Sequence, residues 1–488
     1  MTARTVRNLI DGAWVESVTG RTLERRNPAD VREVVSTFPE SDAKDAEAAV
    51  SAVAAGWQEW ADTSPEQRAK VLESAAGVLE RQRDELVVEL VREEGKTRAE
   101  ATMEVSRTPM NLRYYAGEAM RTAGVTLPTG DGSLVFTLRA PVGVVAAITP
   151  WNFPLNIPSR KLGPALAAGN GVVFKPSEVT PLLGQCLVDA LVEGGLPAGA
   201  IAVLHGGAEA ASALVTDERV GAVTFTGSTE VGEAIHRVSR ASQRTQLEMG
   251  GKNPVLVLED ADLDRAATLI AKGAFGLAGQ ACTGTSRVIV HDAVHDELVE
   301  RIAAKARALR VGPGLADGVD LGPQATERQQ QSVLGYVARA LDDGATLVAG
   351  GPADDSQDLT ASGLAHGLYV RPTVFTDVDP ASELATQEVF GPVLAVLRAH
   401  SFDEALQLAD ATRFGLSAGV VTSDIGRAMT FARRVRAGLV KVNQPTTGQA
   451  MNAPFGGLKD SSTQTTKEQA GDSMMSFYTV DKTVYLSA

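Results

Sequence analysis

From Gly143 onward the chain repeats one unit: a short β-branched run, a glycine or proline break, then a helical stretch. VGVVAAI is followed by PSRKLGPALAAG, GVVFKP by PLLGQCLVDALVEGG, and AIAVLHG and AVTFTG come after. Strands separated by helices cannot pair as simple hairpins, so this alternation predicts βαβ crossovers and a mostly parallel sheet. A second series starts after Gly250, with NPVLVLE, LDRAATLIAKGAFGLAG and SRVIVH, and later PVLAVLRA, FDEALQLAD, SAGVVTS, DIGRAMTFARRV and GLVKVN. The fold class expected is therefore α/β, with two doubly wound parallel-sheet domains in succession. A length of 488 residues allows it, because roughly 150 residues per domain gives about two to four domains. GVTLPTGDGSLVFTLRAP fits neither series and reads as a hairpin, and FYTVDKTVYLS reads as a strand that pairs with it or with another subunit. The resulting division is a first domain of residues 1–124 and 142–250, a second of 251–470, and a β arm of 125–141 and 471–488.

The first hundred residues read as helical. Ser64-Pro65-Glu66-Gln67 supplies a capping hydroxyl, a proline at the first helical position and a glutamine at the third, ahead of one long amphipathic helix over AKVLESAAGVLERQRDELVVELV. The longest uncharged stretch, Ala140 to Ser159, is of membrane length, but its four prolines and two asparagines would leave a lipid-embedded helix broken. It reads as a strand, a loop and a helix start.

Composition excludes several classes. A chain 44% hydrophobic and 22% charged is neither disordered nor collagenous. With a net charge of −14 and no local basic patch, nucleic-acid binding is not expected. The start, MTARTVRNLIDGAWVES, lacks the apolar core of a signal peptide, and two cysteines cannot build a disulfide scaffold, so a cytoplasmic protein is expected.

Those cysteines differ. Cys186 lies in the apolar helix QCLVDALV and reads as core, whereas Cys282 lies in GQACTGTSR, among small residues that let a substrate reach the sulfur and leave backbone N–H groups for an oxyanion. A thiol with a pKa near 8.5 needs a base. None of the six histidines shares a motif with Cys282, and the His291/His295 pair lacks the glutamate of a metal-binding HExxH, so no metal is expected. Glu248, in TQLEMGGKNP, ends a strand next to two glycines and is the better candidate for general base. AVTFTGSTEVGEAIHR places a Gly227 turn before a helix capped by Ser228 or Thr229, an arrangement suited to a diphosphate, although GxGxxG is absent. Upstream, Lys175 and Glu178 end the GVVFKPSE strand, where a carboxylate can accept both hydroxyls of a ribose.

PWNFP (150–154), FKPSE (174–178), FTGSTEVG (225–232), LEMGGKNP (247–254), GQACTGTSR (279–287), EVFGPVL (388–394) and PFGGLKDSS (454–462) together resemble the aldehyde dehydrogenase superfamily, in order and spacing over nearly the whole chain. The resemblance implies that Cys282 is the nucleophile, Glu248 the base that activates water, and the Asn152 amide with the Cys282 N–H the oxyanion hole. Lys161 and Glu468 are implied close to the chemistry. It implies a nicotinamide cofactor held in the first domain: Lys175 and Glu178 on the adenosine ribose, Gly227 and Ser228 on the diphosphate, and Glu388 and Phe390 on the nicotinamide ribose. Thr149, Trp151 and Ser177 are implied as further cofactor contacts. Glu178 would repel a 2′-phosphate, which favours NAD over NADP, though relatives with this glutamate can accept both. The resemblance also implies a homodimer or homotetramer with the arm exchanged between subunits.

Arg160 stands where many relatives have an uncharged residue, and a guanidinium in the substrate tunnel would bind a distal carboxylate. Succinate semialdehyde dehydrogenases carry a similar arginine, whereas CTGTSR and NQPTTGQAMNAPFGGLKDSS look more like 2-oxoglutarate semialdehyde (2,5-dioxopentanoate) dehydrogenases. Phe455 and Thr446 join Arg160 as expected substrate contacts. TQTTKEQAGD departs from the relatives' pattern at Ala470 and at a missing glycine, which bears on tunnel shape. The alternatives are a succinate semialdehyde or broad-specificity enzyme, a cysteine thiol esterase without hydride transfer, a coenzyme A acylating enzyme, and a non-catalytic binding protein. A thiol esterase would have no use for Lys175, Glu178 and Glu388. A non-catalytic protein would be expected to have lost Cys282, Glu248 or Asn152.

Overall fold

A computed structural model of the chain describes residues 2–130, 132–351, 363–463, 468 and 471–487. Two seven-stranded sheets dominate it. In the first, the strands Arg244–Glu248, Val220–Thr226, Val144–Ile148, Gly171–Lys175 and Ile201–Val203 run parallel in that order, and Asn8–Ile10 and Ala13–Val15 extend the edge antiparallel. Every residue of Val144–Ile148 and Gly171–Lys175 is buried, as expected for parallel strands covered on both faces. Val145, Ala147, Val172 and Phe174 point into one apolar layer, and Val144, Ala146, Ile148 and Val173 into the other. The second sheet orders Thr346–Ala349, Thr373–Thr376, Val393–Ala399, Thr285–His291, Asn253–Val257, Ser417–Val421 and Leu439–Val442, antiparallel only at its first pair.

The first sheet winds outward from Val144–Ile148: its next two parallel strands lie on one side, and Val220–Thr226 with Arg244–Glu248 on the other. The reversal opens a crevice at the carboxyl ends of Ile148 and Thr226, the place where α/β sheets take their ligands. Glu248 closes its strand at the same edge, and Met249 to Lys252 carry the chain into Asn253–Val257 of the second sheet. The carboxyl edge of one sheet therefore meets the amino edge of the other.

The third unit is antiparallel. Thr479–Leu486 pairs with Leu134–Pro141 of the same chain along its whole length, and Thr126–Leu127 covers the far side. Residues 471–478, expected within the arm, form a helix (Gly471–Tyr478) just before Thr479–Leu486, and its Met474, Met475, Phe477 and Tyr478 are buried in the core of the first sheet.

Ala140–Ser159 is indeed the end of a strand, the strand Val144–Ile148, a loop and the start of the helix Asn156–Ala167. The first hundred residues are not all helical, because Arg4–Thr5, Thr22–Asn27 and Asp30–Pro39 form a small sheet before the first helix. Ser64 caps its helix by accepting from Gln67 N at 3.2 Å, but that helix ends at Arg81, and a second runs from Arg83 to Glu94. Ala470 lies outside the described residues.

Candidate active site

Three loops meet at the edge between the sheets. The first leaves Ile148 through Pro150 to Pro154, and its prolines keep the backbone out of helix until Asn156. Asn152 is 3% exposed and donates from Nδ2 to the carbonyl of Gln280 at 2.9 Å. The second follows the helix Leu263–Phe275 and carries Cys282. Leu277 and Ala278 there hold φ of 56° and 52°, a left-handed conformation costly for residues with a side chain. Gly279, at φ 73°, lies so close to Gly391 that a Cβ would come within 2.1 Å of its carbonyl oxygen. Asn253 Nδ2 donates to the carbonyls of Cys282 and Gly284, both at 2.8 Å. The third loop is Glu248 to Lys252. Glu248 is buried and accepts from Ser462 Oγ at 3.0 Å.

Cys282 is half-buried and free of any disulfide. Burial pushes its thiol up to about 12; the charges of Glu388, Glu248 and Glu468 add to this and that of Arg160 opposes it. These four side chains are therefore within electrostatic reach of the sulfur, from both sheets. A thiol raised this far is almost wholly protonated at pH 7, so the resting protein is poorly nucleophilic and needs a base or a nearby cation. Alkylation of Cys282 by iodoacetamide without cofactor is expected to quicken roughly tenfold per pH unit between pH 7 and 10. A flat profile on the Cys282 peptide, measured by mass spectrometry, would mean that the thiolate already exists at neutral pH.

Lys161, fully buried, donates to Thr224 Oγ1 at 3.0 Å and lies 3.7 Å from Glu468 Oε1. Burial depresses its ammonium, and Glu468 and Glu248 partly restore it. Arg160, 4% exposed on the same helix, lies over the Phe455 ring, 5.3 Å from its centroid. Phe455 in turn exchanges backbone hydrogen bonds of 2.7 Å with Glu468. Thr446 is placed differently: it is fully buried behind the Cys282 loop, 2.8 Å from the Thr285 hydroxyl.

The crevice in the first sheet holds most of the expected cofactor residues. Lys175 is buried, which lowers its ammonium to about 8 despite Glu178, and Nζ donates to the carbonyl of Pro176 at 3.2 Å. Ser177 Oγ accepts from Val179 N at 3.2 Å, and Glu178 is exposed beside Gly207. Gly227 N donates to the carbonyl of Glu248 at 3.1 Å, and Ser228 caps the helix Thr229–Val238. The buried hydroxyls of Thr149, Thr226 and Thr229 find no partner among the described residues. Three hydroxyls without a described partner at strand and helix ends, beside the N-terminus of the Thr229–Val238 helix, fit a polar ligand carrying a diphosphate. Glu388 accepts from Gly251 N at 3.0 Å, and burial raises its carboxyl to about 7. A Cβ at Gly250 would fall 1.8 Å from Glu388 Oε2, so that position requires glycine. Phe390, at φ 54°, meets Trp151 edge to face with centroids 5.5 Å apart.

Asn253, Gln280 and Ser462, which hold the three loops, were not singled out from the sequence. Asn253 was findable, because an amide just after the glycine pair in MGGKNP is placed to take up free carbonyls.

A family model described as "Aldehyde dehydrogenase family" matches residues 14–484. Among curated relatives, the alpha-ketoglutarate semialdehyde dehydrogenase of Haloferax volcanii is 44% identical over 482 residues, covering 98% of both chains. The alpha-ketoglutaric semialdehyde dehydrogenase of Bacillus subtilis is 40% identical, covering 98% of this chain and 97% of its own. Among solved structures, an NAD-dependent aldehyde dehydrogenase from Sinorhizobium meliloti superposes with a TM-score of 0.94 at 35% identity, over 99% of this chain and 95% of that one. An NADP-dependent enzyme from E. coli gives 0.93 at 30% identity, over 99% and 98%.

Proposed function

This chain belongs to the aldehyde dehydrogenase family, and on that premise we propose that it oxidises 2-oxoglutarate semialdehyde to 2-oxoglutarate. Enzymes of the family use NAD or NADP, and the exposed Glu178 at its strand end favours NAD here, because it would repel a 2′-phosphate. We assign the first sheet to cofactor binding and the second to catalysis.

In this reading the Cys282 thiol gives up its proton to water as Sγ attacks the aldehyde carbon. Asn152 Nδ2, held by one hydrogen to Gln280, offers its other hydrogen to the new oxyanion together with the Cys282 N–H. A nicotinamide cofactor held by Lys175, Glu178, Gly227, Ser228, Glu388 and Phe390 would supply a hydride acceptor, and loss of hydride from the thiohemiacetal carbon leaves a thioester on Cys282. Glu248 then takes a proton from water as the water oxygen attacks the thioester carbon. The C–S bond breaks, and the acid and the thiol are released. Lys161, which feels the charge of Glu248 and lies 3.7 Å from Glu468, offers a route for that proton to leave.

One observation carries the substrate class: the guanidinium of Arg160 is buried on the Asn156–Ala167 helix and bears electrostatically on Cys282. A buried cation close to the reacting sulfur suits an aldehyde with a carboxylate at its far end, with Phe455 packed under the guanidinium. Thr446 reaches such a substrate only through Thr285. NADH formation from 2-oxoglutarate semialdehyde, succinate semialdehyde and hexanal tests this. Arg160→Ala is expected to raise KM for both acidic aldehydes by roughly 10²-fold and to leave hexanal within about threefold. Equal losses on all three would make Arg160 a packing residue and reduce the reading to general aldehyde oxidation.

Val125, Leu127, Leu134, Leu138, Tyr485 and Leu486 of the arm are exposed, and an uncovered apolar sheet of this size invites association, so we propose a homodimer or homotetramer joined there. Both cysteines are free, and no described helix is long and apolar enough to cross a membrane. We place the protein in the cytoplasm.

A further inference from the structure

Glu94, Lys96 and Glu104 are buried at the start of the helix Arg98–Ala119, and the chemistry above uses none of them. A charge out of water persists only when paired and fully hydrogen-bonded, so what these groups bind is informative. Lys96 Nζ donates to Glu104 Oε2 at 2.6 Å and to the backbone carbonyl of Asn152 at 2.8 Å, with the Phe153 ring 4.8 Å away. The other oxygen of Glu104 accepts from the backbone N–H groups of Leu155 and Asn156, at 2.9 and 3.1 Å. One buried ion pair thus grips both ends of the 152–156 segment.

Glu100 lies one turn earlier on the same helix. Its Oε1 accepts from Leu277 N at 2.6 Å, and its Oε2 is fixed by the capping Thr97. Leu277 begins the left-handed pair that leads into the Cys282 loop, a conformation that needs an outside hold. The helix start is itself clamped from behind. Arg98 N donates to the carbonyl of Gly314 at 2.9 Å, and a Cβ on Gly314 or Gly322 would come within 2.2 or 2.0 Å of the carbonyl oxygens of Lys96 or Gly95.

We propose that Lys96, Glu104 and Glu100 are positioning residues: one helix turn fixes the spacing between the Asn152 loop and the Cys282 loop, and so sets the geometry of the oxyanion hole. The inference rests on Asn152 being the oxyanion donor. Such a donor works only within hydrogen-bond distance of the developing charge, and a misplacement of about 1 Å costs on the order of 10² in rate.

The test is the rate of the first NADH turnover at saturating NAD, in stopped flow. Lys96→Met combined with Glu104→Gln removes both charges of the pair at once, and the glutamine keeps an acceptor for Leu155 and Asn156, so what is lost is the bond to the Asn152 carbonyl and the 3.8 Å pairing of Lys96 with Glu94. That double variant is expected to slow the burst 10- to 10²-fold with the Kd for NAD within about twofold, and Asn152→Ala alone to slow it roughly 10²- to 10³-fold. Because the pair acts through Asn152, adding the double substitution to Asn152→Ala is expected to cost less than about twofold more. A wild-type burst in the double variant, or a full multiplicative loss in the combination, overturns the clamp. Wild-type rates in Asn152→Ala overturn the oxyanion assignment itself and the clamp with it. If the buried pair cannot be removed without loss of folding, Glu100→Ala at a half-buried site asks the same of the Leu277 anchor. A burst slowed about tenfold at unchanged NAD affinity supports the clamp, and an unchanged burst overturns it.

Discussion

Cys282→Ala is expected to abolish NADH formation from every aldehyde, a loss of at least roughly 10⁴-fold, while NAD binding stays within about twofold. The two quantities separate because they belong to different parts of the molecule. Lys175, Glu178, Gly227 and Ser228 stand at the carboxyl edge of the first sheet, whereas Cys282 comes from the loop between Leu263–Phe275 and the Thr285–His291 strand of the second. Cys186 cannot substitute, since burial in the first core pushes its thiol well above the usual range. Fluorescence titration with NAD beside a rate assay distinguishes the outcomes. Residual turnover above 1% of wild type would remove Cys282 from the nucleophile's role.

Glu248→Gln should have the second largest effect, and a different signature. Glutamine fills the same space and keeps an oxygen for the Ser462 hydroxyl, so the strand end and its contacts persist. It cannot take a proton. The variant is expected to release one NADH per active site at near wild-type speed and then turn over roughly 10²- to 10⁴-fold more slowly, stalled at the thioester. Acid quenching followed by mass measurement would find an acylated Cys282. A burst followed by unchanged steady turnover would mean that another group activates the water.

Much of this site was legible in the sequence for a definite reason: reactive groups at strand ends carry local marks. Cys282 stands out because small residues surround it, Glu248 because two glycines follow it, and Ser228 because it caps a helix just after a strand. The parallel sheets were legible from the spacing of their β-branched runs. What escaped depends on partners far apart in the chain. The pairing of Lys96 with the Asn152 carbonyl spans 56 residues and that of Glu100 with Leu277 spans 177, and neither leaves a periodic trace. The strand Thr22–Asn27 escaped because TLERRN is charged and mostly exposed. The helix Gly471–Tyr478 escaped because its methionines and aromatics look like strand residues until they are seen packed in the first core. Thr446, an expected substrate contact, is fully buried with its hydroxyl 2.8 Å from that of Thr285, a pairing 161 residues apart that leaves no local mark in the sequence.

The Gly471–Tyr478 helix and the strand that follows it also impose an order on synthesis. Asn170 Nδ2, in the turn just before the Gly171–Lys175 strand, donates to the carbonyl of Tyr478, which is 308 residues later. Arg244 donates to the carbonyls of Ser476, Phe477 and Thr479. A nascent chain that has already made all seven strands of the first sheet must therefore wait for more than two hundred further residues before these groups and the apolar surface beneath them are covered. During that wait the half-built unit carries an open seam on the ribosome. Chains that stop before residue 471 are expected never to close it and to be taken up by chaperones and proteases, although they contain every strand of the first sheet and Cys282.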